Sequence, residues 1–299
     1  MTTLRKTRTP VSIAYEVHGP ADGEPILFLN GLGLQLTQWP KAMLEHLHAE
    51  GYRTILMDNR DIGLSDQVQT GRVPNVYLHL VFSTFGIRTG APYRLEDMAD
   101  DAAAVLNDLG IDKAHILGLS MGGIIAQVFG ATHPERTKSL ILLMTTTNNR
   151  RLPRPKGEAA KVLFDRRPPP TTMDDAVQRQ FEKWAFFRTQ EGGQTDEELR
   201  EWLRQALERG TTPDGWLRQV AAIIEGGDIR HYSRKVEAPC FIVHGSADRL
   251  VPIVGGKDIA ANIRGAKMKT IEGMGHDLPP RHLDEINRSI THFLQSAAR

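Results

Sequence analysis

The stretch KAHILGLSMGG, residues 113–123, decides the fold, because a strand pattern changes into a helix pattern within it. Its first half is a short apolar run of strand length, and a Gly-rich apolar run of helix type follows Ser120. The turn between them, GLSMG at 118–122, is a G-x-S-x-G pattern that places a serine on a strained elbow with its hydroxyl exposed. Glycines are expected there because the elbow brings backbone segments too close together for a Cβ. The unpaired N–H groups at the start of the helix favour an anion beside Ser120.

The same pattern has a plainer interpretation. The chain contains 27 glycines, so one G-x-S-x-G match is weak by itself, and Ser120 would also serve as a helix cap. A catalytic role therefore requires a histidine, an acid and oxyanion donors in suitable positions elsewhere in the chain.

The charge balance argues against nucleic-acid and membrane partners. Thirty-seven basic residues stand against 36 acidic ones, for a formal net charge of +1, without a basic stripe. The polar residues 1–10 lack the apolar centre of a signal peptide, and no run approaches the roughly 20 apolar residues that span a bilayer. We expect a soluble, cytoplasmic protein.

The cysteine and histidine content argues against a disulfide and a metal site. Cys240 is the only cysteine, and its place in the apolar run PCFIVHG predicts a packed thiol in a strand. The sequence lacks clustered Cys/His spacing and a Walker-type glycine loop. We expect no metal and no other cofactor.

Strand and helix patterns alternate along the chain. The strand patterns occupy 10–19, 25–30, 52–57, the first half of 113–123, 139–144, 239–245 and 267–271. Helix patterns lie between the strands at about 39–47, 95–109, after Ser120, at 252–263, and at 283–293. This order predicts an α/β fold with a mostly parallel sheet and helices on both faces. In such sheets the chemistry lies at the carboxyl ends of the strands.

Residues 145–236 differ from the rest of the chain. They contain no good strand, and three amphipathic helices can be drawn around Val177–Trp184, Leu199–Ala206 and Trp216–Ile224. A connection of this length between strand and helix is unusual. We therefore predict a core domain made of 1–144 and 237–299, with a helical cap inserted at 145–236.

Two later strand ends supply partners for the serine. Asp248 follows the strand at 239–245, and His276 follows the strand at 267–271. A serine hydroxyl needs a base within hydrogen-bond reach, and a carboxylate must hold the other nitrogen of that base. We therefore predict a triad of Ser120, His276 and Asp248. The strand after the elbow ends in TTTNN at 145–149, which offers no carboxylate in place of Asp248.

Other residues near these strand ends have less demanding interpretations. Asp277 is adjacent to His276 and is poorly placed to orient its own neighbour. His244 is expected to be structural and Ser246 to form a turn. Taken singly, Asp248 also has a structural interpretation as a turn aspartate. The order of the three triad residues, each at a predicted strand end, favours catalysis.

The oxyanion of the reaction needs preorganised donors. The N–H of Met121, directly after the nucleophile, is one candidate. The loop Asn30-Gly31-Leu32-Gly33 supplies the other, and we predict the N–H of Leu32.

These motifs together resemble the α/β-hydrolase superfamily over essentially the whole chain. The oxyanion loop, the loop at 58–65, GLSMGG, HGSAD and GMGH follow one another in the order of that family. The sequence is most similar to the capped serine esterases typified by aclacinomycin methylesterase, which implies hydrolysis of a carboxylic ester without a cofactor. Two positions depart from the family pattern: Asn30 replaces the usual histidine before Gly31, and Asp61 replaces a glycine in D-x-R-G-x-G-x-S.

A serine at position 120 argues against the dehalogenase and epoxide hydrolase branches, which place an aspartate there. It leaves esterase, lactonase, thioesterase, carbon–carbon bond hydrolase and cofactor-free perhydrolase chemistry open. We favour a carboxylesterase acting through an acyl-enzyme on Ser120. A ligand receptor that retains the three residues is the alternative from another class.

Substrate contacts and assembly are predicted less specifically. We expect a small-molecule ester to contact Gly31, Trp39, Met121, Trp184 and Phe187. The other aromatic residues of the cap, each of which also has a packing interpretation, are Phe181, Phe186, Trp202 and Trp216. The semi-apolar segment 73–93 is interpreted either as a second lid or as an oligomer contact, with a homodimer as one form of assembly.

Overall fold

A computed structural model of the chain describes residues 4–68, 74–84, 87, 90–153, 157–163, 165, 167–210 and 212–297, without the side chains of 77, 80, 83, 84 and 213. The described strands are β1 (Arg5–Lys6), β2 (Ala14–His18), β3 (Glu24–Leu29), β4 (Tyr52–Met57), β5 (Ala114–Leu119), β6 (Thr137–Leu143), β7 (Cys240–Gly245) and β8 (Lys267–Ile271). The α-helices are α1 (Lys41–Ala49), α2 (Val76–Thr84), α3 (Leu95–Asp108), α4 (Met121–Thr132), α5 (Glu158–Leu163), α6 (Met173–Phe187), α7 (Asp196–Arg209), α8 (Pro213–Gly226), α9 (Arg230–Ser233), α10 (Val254–Asn262) and α11 (Pro280–Ala297).

The strands form one sheet in the order β1-β2-β4-β3-β5-β6-β7-β8. Pairing is parallel from β4 to β8, whereas β2 runs antiparallel to both β1 and β4. The predicted mostly parallel α/β sheet is therefore confirmed. The carboxyl ends of β3 through β8 all meet at one edge, which is where the predicted site residues follow their strands.

Alternate residues of the central strands enter two separate cores. In β3, Leu27 and Leu29 pack with α3, α4 and α10 on one face, while Ile26 and Phe28 pack with α1 and α11 on the other. This period of two is what a strand buried on both faces produces. The central strands are consequently covered by helices on both faces of the sheet.

The described part of the chain between β6 and β7 contains helices α5–α9 and no strand. Helix α7 begins with the predicted capping box, in which Thr195 and Glu198 exchange hydrogen bonds between side chain and backbone. The aromatic rings of α6 and α7 meet edge to face, Trp184 against Trp202, with centroids 5.9 Å apart. The status of this helical segment as a separate cap stays a prediction.

The segment 73–93 contains helix α2, which the sequence pattern did not assign. Its side chains Leu78 and Val81 are 51% and 54% exposed. Part of the segment lies outside the described residues, and the choice between a lid and an oligomer contact stays a prediction.

Candidate active site

Ser120 lies on a sharp turn between β5 and α4, with φ 53° and ψ −115°. A positive φ is rare for a residue with a side chain, so the surrounding contacts must hold the turn in place. The Ser120 N–H donates to the carbonyl of Leu143 at 2.9 Å. Its carbonyl accepts the hydroxyl of Thr145 at 2.6 Å. Both partners lie at the end of β6, so the neighbouring strand fixes the elbow.

The glycines on either side of the serine are required by close approach. A Cβ on Gly118 would lie 2.3 Å from the carbonyl oxygen of Gly122. A Cβ on Gly122 would lie 2.0 Å from the carbonyl oxygen of Leu29, in β3. Both distances are far below van der Waals contact, as the sequence pattern predicted.

His276 and Asp248 are in direct contact. The Nδ1 of His276 lies 2.7 Å from Oδ2 of Asp248, and the two side chains are buried. A carboxylate only accepts hydrogen bonds, so Nδ1 is the donor, and in the neutral imidazole Nε2 then keeps a lone pair. This is the tautomer that a general base for Ser120 requires.

The backbone and two histidines keep Asp248 ionised. Its Oδ1 accepts the N–H groups of Leu250 and Val251 at 2.9 Å and 2.8 Å. Burial acts to raise the pKa of Asp248, but the charge of His276 and hydrogen bonds to the carboxylate outweigh it and lower the pKa to about 2. The carboxylate is therefore charged at every pH at which the protein is expected to work.

His244 supports the loop that carries this aspartate. Its Nε2 donates to the carbonyl of Val251 at 2.8 Å and lies 3.5 Å from Oδ2 of Asp248. The side chain is completely buried and lines neither cavity beside Ser120. Ser246 accepts the N–H of Gly273 at 2.9 Å, joining the loops after β7 and β8. The structural roles expected for both residues agree with these contacts.

The histidine loop is tied to the end of helix α6. The N–H of His276 donates to the carbonyl of Phe187 at 2.8 Å. Asp277 accepts the N–H and the hydroxyl of Thr189 at 2.9 Å and 2.6 Å, and burial raises the pKa of its carboxyl group. Asp277 is thus directed at Thr189, and Asp248 is the described carboxylate that pairs with the His276 ring. The sequence pattern did not reveal this connection between helix and histidine.

The predicted oxyanion loop lies against the elbow. A Cβ on Gly31 would lie 3.5 Å from the Cβ of Ser120. Within the part of the chain that the structure describes, the N–H groups of Leu32 and Met121 have no hydrogen-bond acceptor. Asn30 accounts for the bonding beneath the loop: its amide donates to the Met57 carbonyl at 2.6 Å. The asparagine therefore anchors the loop to β4.

The loop after β4 connects the sheet edge to the helical segment. The Asp58 carboxylate accepts a hydrogen bond from Nη1 of Arg209, in α7, at 2.7 Å. Arg60 makes two hydrogen bonds to Asp101, at 2.6 Å and 2.8 Å. These contacts hold the loop after β4 against α3 and α7. Asp61, at the second departure from the family pattern, has φ 71°.

Two cavities of about 330 Å³ each meet at Ser120. The first, cavity 1, is also lined by His276 and by four of the five predicted substrate contacts: Gly31, Trp39, Trp184 and Phe187. Cavity 2 is lined by Met121 and by apolar residues of α4, α8 and α10, among them Ile124, Val220, Ile223 and Val254. Leu32, Leu163 and Leu250 border both cavities. The substrate contacts themselves stay predictions.

The remaining aromatic residues divide between lining and packing. Trp202 lines cavity 1 and Trp216 lines cavity 2. Phe181 and Phe186 line neither cavity. Arg200 lies 3.7 Å from the centre of the Phe181 ring, and Arg249 lies 5.5 Å from the centre of the Phe186 ring. Lys183 lines cavity 1 and was not predicted, since a lysine on an amphipathic helix is ordinarily assigned to the solvent face.

The described residues hold no group of three or more His, Cys, Asp or Glu side chains arranged to bind a metal ion. Among the same residues, no helix is both long and apolar enough to span a bilayer. Cys240 is buried in β7, as predicted, and burial raises the pKa of its thiol.

Comparisons with known proteins agree on the fold family of this chain. Residues 24–282 match a family described as alpha/beta hydrolase fold. Rhodomycin D methylesterase DauP from Streptomyces sp. (strain C5) is 25% identical over 301 residues, covering 93% of each chain. A 2-hydroxy-6-oxononadienedioate/2-hydroxy-6-oxononatrienedioate hydrolase from Burkholderia vietnamiensis is 26% identical, covering 96% of this chain and 92% of that protein. The crystal structure of an enol-lactonase from Burkholderia xenovorans LB400 has the same fold, with a TM-score of 0.74, 19% identity, and coverage of 98% of this chain and 100% of that one.

Proposed function

This chain belongs to the alpha/beta hydrolase fold family, and we propose that it is a carboxylesterase whose nucleophile is Ser120. The main support is the position of Ser120, which lines two predominantly apolar cavities. One of these cavities is also lined by His276. An ester has two substituents on opposite sides of its reacting carbonyl, and two cavities beside one serine accommodate both. Methylesterases among the relatives support the same assignment.

The reaction follows from the tautomer of His276. Nε2 takes the proton of the Ser120 hydroxyl as its oxygen bonds to the ester carbonyl carbon. The N–H groups of Leu32 and Met121 stabilise the resulting oxyanion. The histidine then protonates the alcohol oxygen as the acyl–oxygen bond breaks, leaving an acyl-enzyme. Water, deprotonated by the same nitrogen, releases the carboxylic acid and restores the serine.

The two cavities receive different halves of the substrate in this scheme. His276 protonates the leaving alcohol and lines cavity 1 but not cavity 2. The alcohol part is therefore assigned to cavity 1, and the acyl part to the apolar cavity 2. We assign residues 145–236 to a cap over the core domain of 1–144 and 237–299, because helices of this segment supply walls to both cavities.

A carbon–carbon bond hydrolase is the second candidate. The hydrolases of 2-hydroxy-6-oxononadienedioate match this chain at 26–27% identity over most of its length, much as the methylesterases do. The same serine and histidine would serve either reaction. Substrate turnover therefore has to distinguish the two.

The test is steady-state hydrolysis of p-nitrophenyl esters from acetate to laurate, alongside a 2-hydroxy-6-oxo-dienedioate, by the parent protein and Ser120→Ala. The proposal predicts multiple turnovers of at least one ester, lost in the variant. Turnover of the dienedioate alone would favour the second candidate. Ser120→Ala with unchanged ester turnover would exclude the serine mechanism.

A further inference from the structure

Lys183 is a cation inside a predominantly apolar cavity. It projects from α6 among the residues that line cavity 1, next to Trp184. Its Nζ lies 5.0 Å from the centre of the Trp216 ring, which belongs to the wall of cavity 2. The ammonium group therefore stands near the boundary of both cavities.

The other basic groups of cavity 1 have carboxylate partners. Lys41 lies 3.4 Å from Glu45, and Arg188 pairs with Asp196. Among the described residues, no carboxylate comes within 4.0 Å of the Lys183 ammonium. Of the described cations that line this cavity, Lys183 is thus the one left without an ion pair.

The acid in the same wall does not compensate for this charge. Asp277 is occupied by two hydrogen bonds from Thr189. Asp165 acts on Lys183 from a distance, but it pairs at 2.7 Å and 2.9 Å with Arg167 and Arg179. Desolvation lowers the pKa of Lys183 to about 8, with Asp165 acting in the opposite direction. An ammonium group held this way is charged at neutral pH and gains by meeting an anion.

We propose that Lys183 selects esters whose alcohol part carries one carboxylate group. One unpaired positive charge matches one negative charge, whereas a phosphate dianion would leave a charge uncompensated. The alcohol part is specified because Lys183 shares cavity 1 with His276, the group that protonates the leaving oxygen. This inference rests on the proposed esterase function and adds a substrate class to it.

The probe pair is 4-carboxyphenyl butyrate and 4-carbamoylphenyl butyrate, which differ in charge and little in shape. Lys183→Met is expected to raise KM for the carboxylate at least about tenfold, with kcat within about twofold, and to leave KM for the carboxamide within about twofold. Lys183→Arg is expected to restore most of the lost affinity. Equal changes in KM for both probes would overturn the proposal.

A control variant in the same helical segment distinguishes a structural role of Lys183 from a binding role. Arg200→Met removes a cation from above the Phe181 ring, and Arg200 lines neither cavity. Both variants lose a cation–π contact, so a comparable fall in melting temperature is expected. If Lys183→Met merely loosened the fold, both probes would be affected together, and Arg200→Met would reproduce the effect.

Binding of the alcohol products separates this inference from the esterase assignment. Calorimetry is run with 4-hydroxybenzoate and 4-hydroxybenzamide on the parent protein and Lys183→Met. Preference for the benzoate that disappears in the variant supports the lysine site even if no ester is cleaved. Equal affinity for both products overturns it even if esters are cleaved. Mono-p-nitrophenyl glutarate places the carboxylate on the acyl side, and Lys183-dependence confined to that ester would overturn the assigned orientation.

Discussion

Arg218→Met is expected to destabilise the fold strongly, because it leaves the Asp61 carboxylate buried without its cation. Arg218, from α8, donates to both carboxylate oxygens of Asp61, at 2.9 Å and 2.7 Å. The two side chains are 6% and 0% exposed. Breaking a buried pair from one side costs about 3–5 kcal/mol. A loss of this size in the free energy of unfolding is therefore expected.

Urea unfolding, followed by tryptophan fluorescence and circular dichroism, measures the loss. The matched control is Lys269→Met, which removes a salt bridge of the same 2.7 Å length to Glu285, with side chains 41% and 45% exposed. Solvent screens that pair, so the control should lose no more than about 1 kcal/mol. Equal effects of the two substitutions would refute the argument from burial.

Removing the Asp61 carboxylate together with Arg218 should recover part of the lost free energy of unfolding. Asp61→Gly combined with Arg218→Met eliminates the stranded charge and places a glycine at φ 71°, where a side chain costs on the order of 1 kcal/mol. The double variant gives up the bond from the Val68 N–H to Asp61 at 2.7 Å. We nevertheless expect it to be more stable than Arg218→Met alone. A double variant less stable than that single variant would contradict this account of the pair.

Three further predictions concern the site. Asp248→Asn should lower kcat for p-nitrophenyl butyrate by about 10⁴-fold, since an amide at this position stabilises the wrong tautomer of His276. Gly122→Ala should give no correctly folded site, because its Cβ would lie 2.0 Å from the carbonyl oxygen of Leu29; ester turnover and near-ultraviolet circular dichroism measure this. As pH increases through about 8, Lys183 loses its charge, so KM for the carboxylate probe should rise relative to KM for the carboxamide probe. The charged or titratable groups around it are Asp165 and, in the cavity wall, Lys41, Arg188, His276 and Asp277.

The results that would contradict these predictions are distinct. Asp248→Asn with near-parental kcat would remove the aspartate from the mechanism. A folded, active Gly122→Ala would mean that the elbow relaxes more than its contacts suggest. A pH-independent ratio of the two KM values would exclude titration of Lys183 as a determinant of carboxylate binding.

The sheet was largely predictable because its strands are buried on both faces. The strands at 52–57 and 267–271 have the predicted bounds, and the others differ by a few residues. The two-residue β1 and the four-residue α9 carry too little pattern to be recognised, because such short elements depend on tertiary contacts. The predicted outer strand at 10–19 is shorter in the structure, at Ala14–His18.

The contact between Asp248 and His276 was predictable from strand ends, but the surroundings of the proposed site were not. A carboxylate and a histidine after successive strands come together whenever the strands are parallel neighbours, which the alternating pattern already implied. The position of Lys183 depends on where tertiary packing places α6 relative to the Trp216 ring of α8, and no local pattern encodes that placement. The Asp61–Arg218 pair likewise joins residues far apart in the chain.

Intact-protein mass spectrometry after treatment with a fluorophosphonate tests the central assignment most directly. A nucleophilic serine displaces fluoride and retains the phosphonyl group, so the mass increase counts the labelled residues. We predict one adduct on the parent protein, mapped to Ser120 by peptide sequencing, with no adduct on Ser120→Ala and much slower labelling of His276→Ala. A folded parent protein that stays unlabelled, or an equally labelled Ser120→Ala, would contradict the assignment.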